Sequence, residues 1–359
     1  MPHLNNTVIE KHYKEIQDLY LKDDSPWVIG FSGGKDSTAT LQLVFEAIKI
    51  LDPKMYHKDI WVLSSDTRVE IPSVVEKVDK TLTLIKEYSD KHNLPFKTQL
   101  VTPDADSSFF VNIIGRGYPA PTRTFRWCTE RLKIKPASKF IEDKVSEYGT
   151  VIVVLGNRKK ESISRAQSMA NYQIKGNILK KHSTLNNAFV YTPIEEWDIE
   201  DVWGYLSFVE SPWGEDNEDI VEMYRKAGGD ECPLVTDTST SSCGNSRFGC
   251  WTCTVVSQDK SIQGFIDNGE TWLKPMAEYR NILLEYREDK SKRIKDESRI
   301  GNYGPFKPEV RQELLEKLID VDKQSNEKYG QHLISKEELW AIQKIWDYQG
   351  GFSCSVSDI

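Results

Sequence analysis

An α/β protein built round a doubly wound, mainly parallel sheet, with a cysteine-rich insert and a helical C-terminal region, is what this sequence predicts. Three observations carry the prediction. Short apolar runs alternate with stretches whose apolar residues recur at helical spacing, as expected of parallel strands covered on both faces by helices. Polar and charged residues gather just after those runs, at 32–37, 66–70 and 156–165, where open α/β sheets bind their ligands. From about residue 211 the periodicity fades, and Gly, Ser, Thr, Asp and Cys take over.

In chain order, residues 8–20 have an amphipathic helical pattern, and Pro26 to Phe31 is a short apolar run of the buried-strand kind. Ser32-Gly33-Gly34-Lys35-Asp36-Ser37 follows, then a helical stretch from Thr38 to Ile48. Strands are predicted again at 59–65, 96–101, 151–155 and 189–191, with a helix over 73–92. Asp198 is placed to cap a helix carrying Trp203 and Leu206, and Trp197 and Trp203 are assigned to the core. Residues 211–260 are predicted to be a loop-rich insert. Ser335-Lys336-Glu337-Glu338 has the form of a capping box before another helix. The stretch from Gly350 to Ile359 is expected to fray.

The chain has 359 residues, 28% of them charged, and a formal net charge of −8. That size calls for one large core with an appendage, or for two domains. The acidic balance argues against nucleic-acid binding through a general basic field. A basic stretch from Arg287 to Arg299 is expected to be a solvated helix face. No apolar run reaches membrane-spanning length and no signal-peptide pattern opens the sequence, so a cytoplasmic location without membrane contact is expected. In that compartment six cysteines favour metal binding or catalysis over disulfides.

A strand, two glycines and a helix start make a phosphate cradle. The glycines allow a sharp turn and close backbone approach, and the unpaired N–H groups of the helix start face the anion. A Walker A loop would need Gly at Ile29 and Ser or Thr at Asp36. Around the cradle stand further candidate ligands: Arg126, Arg131 and Lys133 in Arg126-Trp127-Cys128-Thr129-Glu130-Arg131-Leu132-Lys133, and Arg158 and Arg165 in the stretch that follows Gly156. Arginine forks grip phosphate oxygens bidentately and lysine acts as a point charge.

Cys232, Cys243, Cys250 and Cys253 fall within 22 residues, and the last two form a Cys-x-x-Cys. Four thiolates suit a tetrahedral zinc or an iron–sulfur cluster, and free or redox cysteines are the third possibility. Cys128 stands apart and has three possible roles: sulfur-carrying nucleophile, cluster ligand in place of Cys232, or buried bystander. Its basic neighbours are expected to lower its thiol pKa.

The Ser32–Ser37 loop resembles the pyrophosphate loop of the ATP pyrophosphatases. With Asp66-Thr67, Arg126 to Lys133, Gly156-x-Arg158 and Trp197 to Trp203, it makes the first 210 residues similar to the phosphoadenosine-phosphosulfate reductase superfamily, with its adenine nucleotide alpha-hydrolase-like fold. Cys243 to Val256 further resembles the cysteine signature of DndC-type proteins of DNA phosphorothioation and their single-strand-modifying SspD counterparts. The chain's length tilts the comparison towards the single-strand branch, or a related defence protein.

That resemblance implies an ATP pyrophosphatase domain over 1–210, a cysteine-rich iron–sulfur segment over 211–265 and a helical region over 266–359. It implies ATP with Mg²⁺ held by Ser32, Gly33, Gly34, Lys35, Asp36 and Ser37, with Asp66 and Thr67 facing the adenosine. A [4Fe-4S] cluster on Cys232, Cys243, Cys250 and Cys253 is implied too. Lys35, Asp36, Cys128, Arg158 and Arg165 are the catalytic candidates, and Arg126, Lys133 and Gly156 complete the nucleotide set. The implied partners are DNA, a cysteine desulfurase that donates sulfur, and the other subunits of a DNA sulfur-modification complex. The rival activities are phosphosulfate or adenylylsulfate reduction, tRNA thiolation, and a non-catalytic nucleotide- or redox-sensing role within a defence complex. The C-terminal Glu-Cys-Gly and tandem Cys-Cys patterns of the reductases are both missing from the sequence.

Overall fold

The computed structural model describes residues 4–227, 249–295 and 303–359. Its central sheet holds β1 (Trp27–Gly30), β2 (Ile60–Ser65), β3 (Phe96–Val101), β4 (Val151–Val154), β5 (Lys180–Lys181) and β6 (Ala188–Tyr191). The strands lie in the order β3-β2-β1-β4-β6-β5, and only β5 runs antiparallel to its neighbour. Five of the six were legible as apolar runs. The exception is β5, a two-residue edge strand made of lysines, which carries no such signal.

The chain steps outward from β1 to β2 and β3, then returns to lay β4 on the other side of β1. Trp27 is therefore in register with Ile60 on one flank and Ile152 on the other. This is the topological switch point of a doubly wound sheet, at the carboxyl ends of β1 and β4, the place where such sheets bind ligands.

Helices cover both faces. On one lie α1 (Asn6–Tyr20), α2 (Lys35–Lys49), α3 (Pro72–His92), α6 (Ile199–Phe208) and α7 (Glu218–Lys226), packed over Ile29, Val62 and Val154. On the other, α4 (Lys135–Tyr148) sets Ile141 against Val28, Val151 and Val153. A shorter helix, α5 (Ile163–Asn171), follows the loop after β4. Asp198 makes the expected cap, as a full capping box with Asp201, and Trp197 and Trp203 are buried as anticipated.

A second core gathers α8 (Lys260–Asp267), α9 (Lys274–Glu288), α10 (Pro308–Tyr329) and α11 (Lys336–Gln349), with a hairpin of β7 (Arg293–Lys295) and β8 (Tyr303–Phe306). A π-helical turn at Val111–Gly115 docks into it. Arg311, 3% exposed, donates to the carbonyls of Ile114, at 2.7 Å, and of Gly115, groups that the end of that turn leaves without helical partners. Among the described residues no helix is long and apolar enough to cross a membrane.

Three local expectations need correcting. Residues 211–260 are not all loop, because α7 lies among them, its Ile220 and Tyr224 one turn apart on the buried side. As far as Lys295, where the described residues stop, the basic stretch after Arg287 is not a helix face. There α9 has already ended at Glu288, and Arg293 donates to the carbonyls of Tyr303 and Gly304 across the hairpin. The tail does not fray, since Phe352 stacks on Trp346 with ring centroids 4.3 Å apart.

Candidate functional site

The loop after β1 is shaped by its own serines. Ser32 N–H donates to Ser37 Oγ at 3.2 Å, and Ser37 Oγ in turn donates to the Gly34 carbonyl at 2.9 Å. Gly33 has φ +72°, a left-handed conformation that favours glycine, and a Cβ there would stand 2.8 Å from Val78. Gly34 is the N-cap of α2 and supplies no side chain to the helix start. The first-turn N–H groups of α2 lack acceptors within the helix, and the positive end of the helix dipole lies behind them.

The loop after β4 closes on this turn from the opposite side. A Cβ on Gly156 would stand 2.6 Å from the Asp36 carbonyl oxygen and 2.9 Å from Thr40 Oγ1. No side chain larger than hydrogen fits. Two residues on, Arg158 is 5% exposed and its Nε lies 2.5 Å from Asp36 Oδ1, while Lys35 Nζ is 3.6 Å from Asp36 Oδ2. The buried cations Lys35 and Arg158 thus flank one carboxylate at the switch point.

Replacing Arg158 by methionine is expected to strand Asp36 beside Lys35 alone. The Asp36 side chain keeps 23% exposure, so the loss should fall below the figure for a fully buried pair, at about 2 kcal/mol. Urea denaturation checks it, and Arg158→Met with Asp36→Asn should regain most of the loss.

A second cluster forms at the carboxyl end of β2. Glu70 bridges backbone to backbone with Cys250, and Thr67 Oγ1 lies 3.3 Å from Cys250 Sγ. Lys133 Nζ pairs with Glu70 Oε1 at 3.1 Å. Cys250 and Cys253 close one turn, with Cys253 N–H donating to the Cys250 carbonyl at 3.0 Å. The loop that ends at Cys128 is fastened to the same turn, for Thr254 Oγ1 and Arg287 both donate to the Pro121 carbonyl. Cys128 begins a π-helical stretch, Thr129–Ile134, a conformation frequent at functional sites.

Burial pushes the Cys128 thiol above its ordinary pKa, and the nearby Cys253 adds to the effect. The expected lowering by basic neighbours does not occur, for a geometric reason. Arg126 is exposed, Arg131 is committed to Asn112 and Tyr118, and Lys133 is turned to Glu70. Burial also raises the Cys250 thiol, with Glu70 adding and Lys133 opposing.

Asp66 holds the Arg68 N–H at 2.7 Å, and burial raises its carboxyl pKa. Arg165 pairs with Glu161 and Asn157 of its own loop. The predicted residues therefore fall into two groups. Ser32 to Ser37, Gly156 and Arg158 meet at the switch point, while Thr67, Cys128, Lys133, Cys250 and Cys253 gather beyond β2. Cys232 and Cys243 lie outside the described residues.

Two contributors escaped the sequence reading. Tyr224 Oη accepts the Lys35 N–H at 3.3 Å, and only the i, i+4 pairing with Ile220 could have signalled its burial. Arg280, 2% exposed, donates to the carbonyls of Cys253, at 2.8 Å, of Ser257, at 2.9 Å, and of Val256. Arg280→Met is expected to leave these carbonyls unsatisfied and lower stability by about 3 kcal/mol, read by chemical denaturation. An unchanged denaturation midpoint would contradict the clamp.

Residues 26–256 match the sequence model of the phosphoadenosine phosphosulfate reductase domain. The chain belongs to that family. It is also 26% identical over 292 residues to an uncharacterized protein of Methanocaldococcus jannaschii, a match spanning 80% of this chain and 48% of that one. The chain thus spans about half the length of this curated relative. Among solved structures it is similar to the phosphoadenylyl-sulfate reductase of Candida auris, with TM-score 0.37, 12% identity, and 66% of this chain and 98% of that one covered. The NH3-dependent NAD synthetase of Campylobacter jejuni gives TM-score 0.37 and 14% identity, over 81% and 97% of the two chains. The U34-tRNA thiolase NcsA of Methanococcus maripaludis, solved with its [4Fe-4S] cluster, gives 0.34 and 13%, over 86% and 88%.

For a sulfur-ligated centre, the donor chemistry of this family member is suitable. Cys250 and Cys253 turn round Thr252, whose buried hydroxyl has no partner among the described residues and is available to a cluster sulfide. Trp251, Phe110 and Tyr279 pack together beside the turn and shelter it from water. Among the described residues no three His, Cys, Asp or Glu side chains are arranged to hold a single metal ion.

Proposed function

We propose that this protein is an ATP pyrophosphatase that activates a DNA backbone phosphate by adenylation, so that sulfur can replace one of its oxygens. One observation carries the reading. The phosphate cradle on β1 and the Cys250–Cys253 turn beyond β2 stand at the carboxyl end of a single sheet, and Thr67 and Glu70 of the β2 loop touch the Cys250 thiol.

A phosphate oxygen is a poor leaving group, and adenylation corrects that. A non-bridging DNA phosphate oxygen attacks the α-phosphorus of ATP, a new P–O bond forms, and pyrophosphate departs with the electron pair of the broken P–O bond. The terminal sulfur of a persulfide supplied by a cysteine desulfurase then attacks the DNA phosphorus, and AMP leaves carrying the original oxygen. A thiol reductant cleaves the resulting S–S bond, leaving sulfur on phosphorus and a disulfide as by-product. Charge grows on the pyrophosphate in the first step. Lys35 Nζ and the N–H groups at the start of α2 are the residues placed to receive it, with Mg²⁺ sharing the load. Arg158 holds Asp36 in place beside that charge. Cys250 and Cys253, with Cys128 as a further thiol, would be among the residues holding a [4Fe-4S] cluster, which would supply sulfur-handling chemistry.

The test is incorporation. DNA treated with the protein, ATP, Mg²⁺, a cysteine desulfurase, cysteine and a thiol reductant should yield phosphorothioate-linked dinucleotides after nuclease digestion, read by mass spectrometry. The family match favours one alternative, reduction of an adenylylated sulfate. Release of sulfite from that substrate, with no phosphorothioate in DNA, would establish it instead.

A further inference from the structure

The hydroxyl of Tyr224 sits on a donor that a nucleotide phosphate needs. Lys35 N–H opens α2 and donates to Tyr224 Oη at 3.3 Å, and that oxygen lies 3.4 Å from where a Cβ on Gly34 would stand. The phenol is therefore laid across the cradle itself. The residue is only 6% exposed. Trp203 packs edge-on against its ring at 5.2 Å and 89°, and the Lys35 ammonium lies 5.0 Å from the ring centroid.

An N–H carries one hydrogen. A phosphate oxygen that takes it must displace the phenol oxygen from its place over Gly34. Tyr224 cannot be displaced without consequence, because of the helix that carries it. Ile220 and Tyr224 belong to the core under the sheet, whereas Ala227, directly after α7, belongs to the second core. The Lys226 carbonyl also accepts from Asn268 Nδ2, just beyond α8, at 3.1 Å. So α7 is a short strut between the nucleotide loop and the half that holds Trp251, Tyr279 and the Cys250–Cys253 turn.

We infer that Tyr224 is a positioning residue that competes with nucleotide phosphate for the Lys35 N–H, so that filling the cradle shifts α7 and signals to the cysteine-bearing half. The inference rests on the cradle being a nucleotide site. It differs from a purely structural role for Tyr224, in which loss of the hydroxyl would leave nucleotide affinity untouched.

The substitution Tyr224→Phe keeps the ring against Trp203 and Lys35 and removes only the competing oxygen. ATP titration by calorimetry, on the full chain with Mg²⁺, should then give binding about fivefold tighter than in the parent, the scale of one neutral hydrogen bond. Amide exchange supplies the second readout. ATP should change exchange in α7 and α8 of the parent, and change it less in Tyr224→Phe, whose α7 is already released. Equal or weaker ATP binding by Tyr224→Phe overturns the inference while leaving the nucleotide site standing. Failure of the parent to bind ATP or pyrophosphate at all removes the nucleotide reading, and this inference with it.

Discussion

Lys35→Ala is expected to lower ATP turnover by about 100- to 1,000-fold, the usual effect of deleting one preorganised donor at a developing anionic charge. Lys35 is 7% exposed and opens α2, so its ammonium acts in a site from which water is largely excluded. There a point charge counts for far more than in solvent. Asp36, which it flanks, retains Arg158, so the fold should survive the substitution. Steady-state kinetics checks both halves of the expectation. Turnover should collapse while the melting temperature stays near that of the parent. Full turnover in Lys35→Ala would remove the cradle from the chemistry.

Gly156→Ala is expected to damage both stability and nucleotide binding. A methyl group there would press on the backbone of Asp36, 2.6 Å from its oxygen and 2.8 Å from its carbonyl carbon. Neither atom can rotate away as a side chain could, so the loop after β4 must retreat from α2 and pull Arg158 from Asp36. Overpacking of this sort costs about 3 kcal/mol. Gly149→Ala is the informative comparison. Gly149 has φ +81° but nothing within 4 Å of a new Cβ, so its substitution should cost about 1 kcal/mol through backbone conformation alone and spare ATP binding. Urea melts and ATP titration of the two variants separate close approach from backbone strain.

Much of the fold was legible because its strands are buried on both faces and read as continuous apolar runs, as at 151–154. What escaped was either too short to show a period or held by distant partners. The lysine strand β5 has no apolar signal, and the hairpin of Arg293 depends on carbonyls ten or more residues away. In the site, the glycine loop and Arg158 announce themselves by motif. Tyr224 and Arg280 do not. Each is brought to the site by helix packing, and apart from the pairing of Tyr224 with Ile220 no neighbour in sequence marks them. The thiol of Cys128 marks the limit of local charge arguments. Four cations, Arg123, Arg126, Arg131 and Lys133, stand within five residues of it, yet their side chains are exposed or turned to other partners, and burial decides the shift.

The central claim is that the cradle directs attack to the α-phosphorus of ATP. Product analysis tests it most directly: purified protein with ATP, Mg²⁺ and DNA, its products separated by ion-exchange chromatography. The account predicts AMP and pyrophosphate, both abolished in Lys35→Ala. ADP and orthophosphate would contradict it.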